Sequence, residues 1–415
     1  MKLKNLSILE FDKFAESHPL SNYHQSSNYA LLASEKGYDY DLLGLVDDDG
    51  NIKAGALILT KKISLFNRYG YSPKGFLIDY YNIPLLKEFL EKIKKYYYKK
   101  NFAFIKINPE ISIGTLDYKN KRTIYNQNQM IENTLRNFNF RKLDGAKRFE
   151  NQLPVFNAIQ VLKNTNLKTI SKNTRNKINK SNSVGLHLVN GKREDIEVLY
   201  NFIKRKKGTP LAHYFNYYNA FSRNNLIDVF LVEIDFEECL IKLRERFEKE
   251  STKNEKIVDI VMKNPTKENL KRKLDSDSVL NTIKDNIATA TNEIAINRKK
   301  YIAGAITIKY KNRVSILISG YDKEYSRFCP NYFLHYALIK HYKDDYDYLD
   351  LNGITGDFSN ENPYKGLDEF KLGFNPLTFE YIGEYDYIIN DGLYKSLDQS
   401  GQLSKEFKKE EKSIN

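Results

Sequence analysis

Residues 40–108 and 292–352 run through the same order of elements, and a repeat of this kind restricts the chain to architectures that use one unit twice. In the first copy YDLLGLVDDDGNIKAGALILT reads as two apolar strands joined by an Asp49-Gly50-Asn51 turn, a β-hairpin signature. In the second copy NEIAINRKKYIAGAITIKYKNRVSILISGYD has the same shape, and Ala54-Gly55-Ala56 recurs as Ala303-Gly304-Ala305. A helix follows each. PLLKEFLEKIKKYYYKK places Leu85, Leu86, Phe89, Leu90 and Ile93 on one face, and NYFLHYALIKHYKDD does so with Phe333, Leu334, Ala337 and Leu338. Strands FAFIKIN and YDYLDLN then end at Asn108 and Asn352. Hairpin, helix and strand used twice predict an α/β (α+β) protein of two tandem domains, each with a helix packed on a mixed sheet.

One segment breaks the repeat. Between LIDVFLVEID and the second hairpin, residues 237–297 hold a single aromatic, Phe247, and are dense in charge. Leu240, Leu243, Phe247, Ile257 and Val261 form one apolar stripe, and Leu280, Ile283, Ile287, Ala290 and Ile294 form a second, with Pro265 between them. Two antiparallel helices forming an inserted coiled-coil arm are expected. The domains follow as 1–152, then 153–236 with 298–415, with the arm at 237–297.

Composition narrows the class. Of 415 residues 41% are apolar, enough to fill two cores, and no apolar run nears the roughly 18 residues that span a bilayer. Glu10 and Asp12 interrupt the first apolar stretch, so a cytoplasmic protein is expected. Cys239 and Cys329 are too few for a disulfide framework and lack metal-ligating neighbours, so they read as structural thiols. The net charge of +13 favours polyanionic partners, although a general enrichment in Lys and Asn gives the same excess without one.

The six histidines form no His-Glu-x-x-His helix, and there is no P-loop, Gly-x-Ser-x-Gly elbow or Gly-x-Gly-x-x-Gly turn. The duplicated unit is similar to that of the acetyltransferase superfamily. A coenzyme A site there needs a Gly-rich loop to hold pyrophosphate, whereas YDKEYSRFCPN at 321–331 offers Tyr321 and Arg327 without a glycine. The densest basic segment, SKNTRNKINK, carries Lys172, Arg175, Lys177 and Lys180, suited to phosphates or simply to a solvated helix face. Tyr214 and Phe215 belong to an aromatic run near this basic segment in sequence, which serves as neighbours to it or simply as core. Lys371 follows Phe370 and precedes Phe374; a lysine so flanked is positioned, and its charge suits an acyl-transfer oxyanion or a phosphate.

With SKNTRNKINK and the inserted arm, the segments EFDKFAESHPLSNYHQSSNYA, YGYSPKGFLIDY, GYDKEYSRFCPNYFLHYALIKHY, NGITGDF and GLDEFKLGFNPLTFEYIGEYDYIIN resemble the FemABX family of peptidoglycan aminoacyltransferases, most closely its FemA/FemB branch. The resemblance spans nearly the whole chain. It implies two acetyltransferase-like (GNAT-type) domains and transfer of Gly, Ser or Ala from aminoacyl-tRNA to the stem-peptide amine or growing bridge of lipid II. It also implies no cofactor beyond the aminoacyl-tRNA co-substrate, work at the inner face of the plasma membrane, and a homodimer or a paralogous transferase as partner. Lys371 matches the family's active-site lysine, and Tyr214 an aromatic of the acceptor channel. Phe215, Arg175, Lys177, Tyr321, Arg327, Asn108 and Phe370 are the further candidates for substrate binding. Lys74 and Gly75, in the Ser-Pro-Lys-Gly turn, carry an expected structural role.

Two departures matter. Asn108-Pro109-Glu110 stands where many members have Asp-Pro-Glu, so no carboxylate base is assumed at Asn108. The two basic residues that hold a nucleotide diphosphate in a soluble-precursor member appear as Leu31 or Ala33 and as Pro210, which leans toward a lipid-linked acceptor. The alternative reading is a weak or inactive paralogue acting as an adaptor for another bridge-forming transferase.

Overall fold

The computed structural model describes residues 1–63, 67–143 and 147–403, apart from the side chains of 205–207. The chain begins with β1 (Lys2–Asn5), α1 (Ile8–Ser17), α2 (Ser27–Ser34), β2 (Asp39–Val46), β3 (Ile52–Lys62), β4 (Arg68–Ser72), α3 (Ile83–Tyr98) and β5 (Phe102–Ile107). It continues through β6 (Ser112–Asp117), β7 (Arg122–Tyr125), α4 (Met130–Asn137), β8 (Phe140–Lys142), β9 (Phe156–Val161), α5 (Lys172–Asn182) and β10 (Leu186–Gly191). Next come α6 (Ile196–Lys207), α7 (Leu211–Ser222), β11 (Ile227–Asp235), α8 (Phe236–Lys263), α9 (Lys267–Ile294), β12 (Lys299–Tyr310) and β13 (Arg313–Tyr321). The last elements are α10 (Pro330–Tyr342), β14 (Tyr348–Ile354), α11 (Lys365–Leu372), β15 (Leu377–Tyr381), β16 (Tyr385–Ile388) and α12 (Asp391–Gln399).

The repeat is present and larger than a hairpin. Strands β2, β3 and β4 run antiparallel, then α3 crosses over and β5 pairs parallel to β4. Strands β11, β12 and β13, helix α10 and parallel strand β14 repeat that order. Ala-Gly-Ala lies on the middle strand of each triplet, so it falls on the second strand of the first hairpin but on the first strand of the second. The glycine is required by close packing. A Cβ at Gly55 would lie 2.8 Å from the Phe14 ring, and one at Gly304 would lie 2.8 Å from the Leu231 side chain.

Alternation sets which face of each sheet is covered, and the helices complete the cores. Leu86, Phe89 and Ile93 of α3 join Ile105 and Tyr385 on one face of the first sheet. Leu334 and Leu338 of α10 join Ile178, Val314 and Leu349 on the second. A third cluster welds the two halves, with Leu57 and Leu59 from β3, Tyr29 from α2, Tyr217 and Phe221 from α7, and Ile306 and Ile308 from β12. At about 1.5–3 kcal/mol for each fully buried large apolar side chain, this shared core holds the halves as one body.

The sheets do not respect the expected boundary at residue 152. The first has the order β1-β2-β3-β4-β5-β16-β8 and the second β10-β11-β12-β13-β14-β9-β15-β6-β7. Strand β16 therefore returns from the expected second domain to pair with β5 and β8, while β6 and β7 leave the expected first domain for the second sheet. The reason is edge satisfaction: each half leaves an open strand edge that a strand of the other half covers. Residues 404–415, the end of the expected second domain, lie outside the described residues.

Helices α8 and α9 pack on one another and connect β11 to β12, the position filled in the first copy by the short Asp47–Asn51 turn. Their base is anchored by Phe236, Cys239, Leu243, Ile283 and Ala290 in the second core. Asn254 bridges the pair further out, donating to Ser276 Oγ at 3.0 Å and Asp277 Oδ1 at 2.8 Å. Among the described residues no helix is long and apolar enough to cross a membrane.

Candidate functional site

Each repeat ends in a strand running parallel to its neighbour, and clusters of polar and charged side chains gather at the two strand ends. Past the end of β5, Asn108 is buried; its carbonyl oxygen accepts from the Lys74 backbone N–H at 2.8 Å and its amide donates to Tyr71 Oη at 3.1 Å and Glu384 Oε1 at 3.4 Å. Two residues on, Glu110 forms an ion pair with Arg313 at the start of β13, accepts from the Asn22 amide, and accepts from Tyr381 Oη at 3.2 Å. The Lys74 ammonium lies 4.4 Å from the centre of the Tyr381 ring. Asp350, on β14, receives the Asn157 amide at 3.0 and 3.2 Å.

This cluster forms the seam between the two sheets, and burial competes with charge in it. Burial would raise the Glu110 carboxyl, but Arg313, Lys74 and the hydrogen bonds outweigh it and bring it down to about 2. Burial depresses Lys74, opposed by Glu110 and Asp350. Asp350 goes the other way: burial raises it although Arg313 is near. Beside the seam a polar cavity of about 210 Å³ is lined by Asn22, Tyr23, Tyr310, Arg313, Ser315 and Tyr348 among others.

The second centre lies at the other end of β14. Lys371 is buried on α11, and its ammonium donates to the Gly353 carbonyl at 2.5 Å. Phe370 packs edge-on against Tyr332 and His335, with centroids at 4.9 and 4.7 Å. Lys177, on α5, donates to Tyr332 Oη at 2.8 Å. Burial brings His335 down to about 4, and Lys371 adds to the shift; its Nδ1–H donates to the Asn331 carbonyl at 2.9 Å, so the ring is neutral at pH 7. Close packing of Gly373, just past α11, on the start of α5 holds the group together. A Cβ on Gly373 would sit 2.1 Å from Thr174 Oγ1, and the Gly373 carbonyl accepts from the Ser171 N–H. The two centres are joined by β14 itself, where Asp350 Oδ1 accepts from Asn352 N–H at 2.8 Å and Asn352 Oδ1 accepts from Gly353 N–H at 2.7 Å.

The candidate residues thus separate. Phe370 and Lys177 meet at Tyr332, and Lys371 acts on His335, which packs against Phe370, while Arg175, on the same helix as Lys177, donates to the Leu167 carbonyl at 3.4 Å. Asn108 lies in the seam. Tyr214 is buried on α7 against Tyr200 and His213, and Arg193 lies over the Phe215 ring at 4.3 Å. Tyr321 ends β13, and Arg327 donates to Thr289 of α9 at 2.8 Å, which ties it to the helical pair. Sequence reasoning passed over Glu110, Arg313 and Asp350 and gave Lys74 only a turn role. The signal was Glu110, two residues beyond the Asn108 that was considered. Arg313 and Asp350 are distant in sequence and carried none. On α7 the structure also brings Lys36 to His213 Nδ1 at 3.0 Å, with burial lowering the lysine to about 8.

The chain is similar to known proteins over nearly its whole length. The chain is similar to the aminoacyltransferase FemA of Staphylococcus epidermidis, at 24% identity over 95% of this chain and 97% of that protein. It is similar to the lipid II:glycine glycyltransferase of the same species at 23% identity over 95% and 94%. The crystal structure of FemX shares its fold, with a TM-score of 0.75 at 21% identity, covering 96% of this chain and all of that one. The FemAB family pattern matches residues 6–399, and the chain belongs to the FemAB family.

Proposed function

We propose that this chain is an aminoacyltransferase that moves Gly, Ser or Ala from aminoacyl-tRNA to the stem-peptide amine or growing bridge of lipid II. Family membership supports acyl transfer, and the names of its relatives support a lipid II acceptor. The observation that carries the reading is Lys371, a buried ammonium fixed at the end of β14 by the Gly353 carbonyl and walled by Phe370 and His335. Within this reading the repeated unit is an acetyltransferase-like (GNAT-type) domain and the helical pair a coiled coil.

The amine nitrogen attacks the ester carbonyl; the C–N bond forms, the C–O bond to the tRNA breaks, and the released hydroxyl takes the proton the amine gives up. Lys371 stabilises negative charge on the carbonyl oxygen as it develops. Glu110 is a poor proton acceptor, because it is held ionised far below neutrality and its oxygens already receive Arg313, Asn22 and Tyr381. The proton passes instead toward the leaving hydroxyl or a substrate phosphate. Because the ester is already activated, orientation supplies most of the remaining advantage, with aminoacyl-tRNA as co-substrate and no other cofactor. Lys177, Arg175 and Lys36 supply positive charge toward substrate phosphates.

The test is single-turnover transfer of labelled Gly, Ser or Ala from charged tRNA to lipid II, with a nucleotide-linked pentapeptide as competing acceptor. Labelled lipid II supports the reading and names the donor. Transfer to the soluble acceptor alone overturns the lipid-linked part. No product from folded protein, with both unmodified and bridge-extended lipid II, favours the adaptor reading that Asn108 motivates.

A further inference from the structure

The far end of the helical pair differs in kind from its shaft. Between Met262 and Leu274 stand the cations Lys263, Lys267, Lys271, Arg272 and Lys273 against one acid, Glu268. The rest of 237–297 carries seven cations against eleven acids. The same end exposes large apolar side chains: Met262 is 78% exposed, Leu274 68%, Leu270 44% and Ile260 43%. Between Glu248 and Thr282 neither helix has a fully buried residue, so none of these apolar groups completes a core.

We propose that the tip formed by Ile260–Leu274 docks on an anionic lipid surface. Two features select that partner. Four apolar side chains interleaved with cations match a bilayer interface, which takes apolar groups at the acyl boundary and lysines at the headgroups. A phosphate backbone rewards only the cations and leaves Met262 and Leu274 in water. Charge also polarises the pair along its axis. The acid-rich shaft is repelled by the surface that attracts the tip, which favours end-on contact over a helix lying flat. With 28 residues in each helix, the pair is about 42 Å long. Its anchored base thus keeps the two sheets well away from the membrane plane. Lys273 bonds back to Asp277 at 2.6 Å, so Lys263, Lys267, Lys271 and Arg272 are the headgroup contacts. The proposal rests on the tip alone and not on the acceptor reading.

The chain has no tryptophan, so Leu274→Trp gives a single fluorescent reporter. Vesicles of phosphatidylcholine with about one-third phosphatidylglycerol, and without lipid II, are the probe. Failure here is therefore distinguishable from failure of the transfer reaction. The expected result is a blue shift and co-sedimentation with the anionic vesicles, weakened by added salt and about tenfold weaker on pure phosphatidylcholine. The full-length Met262→Ser, Leu270→Ser, Leu274→Ser variant, with an unchanged melting temperature, should lose co-sedimentation by a similar factor. No shift with anionic vesicles overturns the proposal. So does a triple-serine variant that sediments as wild type, or a reporter that responds to uncharged tRNA and not to vesicles, the outcome that would make the tip an RNA surface.

Discussion

Glu110, just past the end of β5, and Arg313, at the head of β13, pair across the seam between the two sheets. Residues 203 positions apart in the chain thus form a partly buried ion pair, further surrounded by Asn22, Lys74, Tyr381 and Asp350. Burial makes the pair costly to form and more costly to break from one side.

Losing both partners should therefore cost less than the two single losses added together. Glu110→Gln or Arg313→Met should each cost about 3–5 kcal/mol, and the double replacement clearly less than their sum. Chemical denaturation of the four proteins measures this, and additive losses would mean the two side chains act independently.

Lys371→Met keeps the apolar stem and removes the charge. Transfer should fall about 10²–10³-fold. The unpartnered Gly353 carbonyl should cost about 1–3 kcal/mol of stability. Lys371→Arg should not restore the rate, because a planar guanidinium cannot occupy the site of a compact ammonium. Single-turnover rates on protein checked by circular dichroism decide between loss of chemistry and loss of fold.

The fit of the chain just past α11 against the start of α5 can be tested through Gly373. Gly373→Ala pushes a methyl group into Thr174 Oγ1 and should cost about 1–3 kcal/mol. Adding Thr174→Ala removes the obstructing oxygen and should recover part of both stability and activity. If the second change only adds to the loss, the contact is not what fixes Lys371.

Acid should weaken the fold in two stages. Burial lowers His335 to about 4 and His24 to about 3. Unfolded histidines take up protons near pH 6.5 while the folded ones resist, so stability falls as pH drops through about 6.5 toward 4. Glu110 is depressed to about 2, so its contribution is present above the ordinary glutamate range and is lost below about pH 4.5. Urea midpoints from pH 7.5 to 3 should show both declines. His335→Gln should flatten the upper one and Glu110→Gln the lower one.

Asn254 meets Ser276 and Asp277 across the helical pair, so Glu248 and Thr282 lie level. Replacing 249–281 with a short Gly-Ser loop should leave the melting temperature within about 4 °C, since no fully buried residue is removed. Deleting 237–297 also removes Cys239, Leu243, Ile283 and Ala290 from the second core and should give insoluble or strongly destabilised protein.

Local pattern determined much of this protein. The repeat, the faces of α3 and α10, and the paired helices 237–297 are written in apolar periodicity, because a helix or strand buries whichever face its own residues make apolar. Gly55 and Gly304 mark equivalent middle strands, and a side chain would find no room at either: at Gly55 it would strike Phe14 of α1, and at Gly304 it would strike Leu231 on the neighbouring strand. The family resemblance likewise rests on segments readable in order along the chain.

Tertiary structure decided the rest. That β16 closes the first sheet while β6 and β7 extend the second follows from which open edges lie near in space, a property no local window contains. The seam is the clearest case. Glu110, Arg313, Asp350 and Lys74 are ordinary charged residues in sequence, and only burial together makes each depend on the others. Lys371 stood out because of its aromatic neighbours, but its hold on Gly353 came from the fold. A charge acquires a defined strength and direction only once water is excluded around it and its partners are fixed, and both are done by parts of the chain far away in sequence.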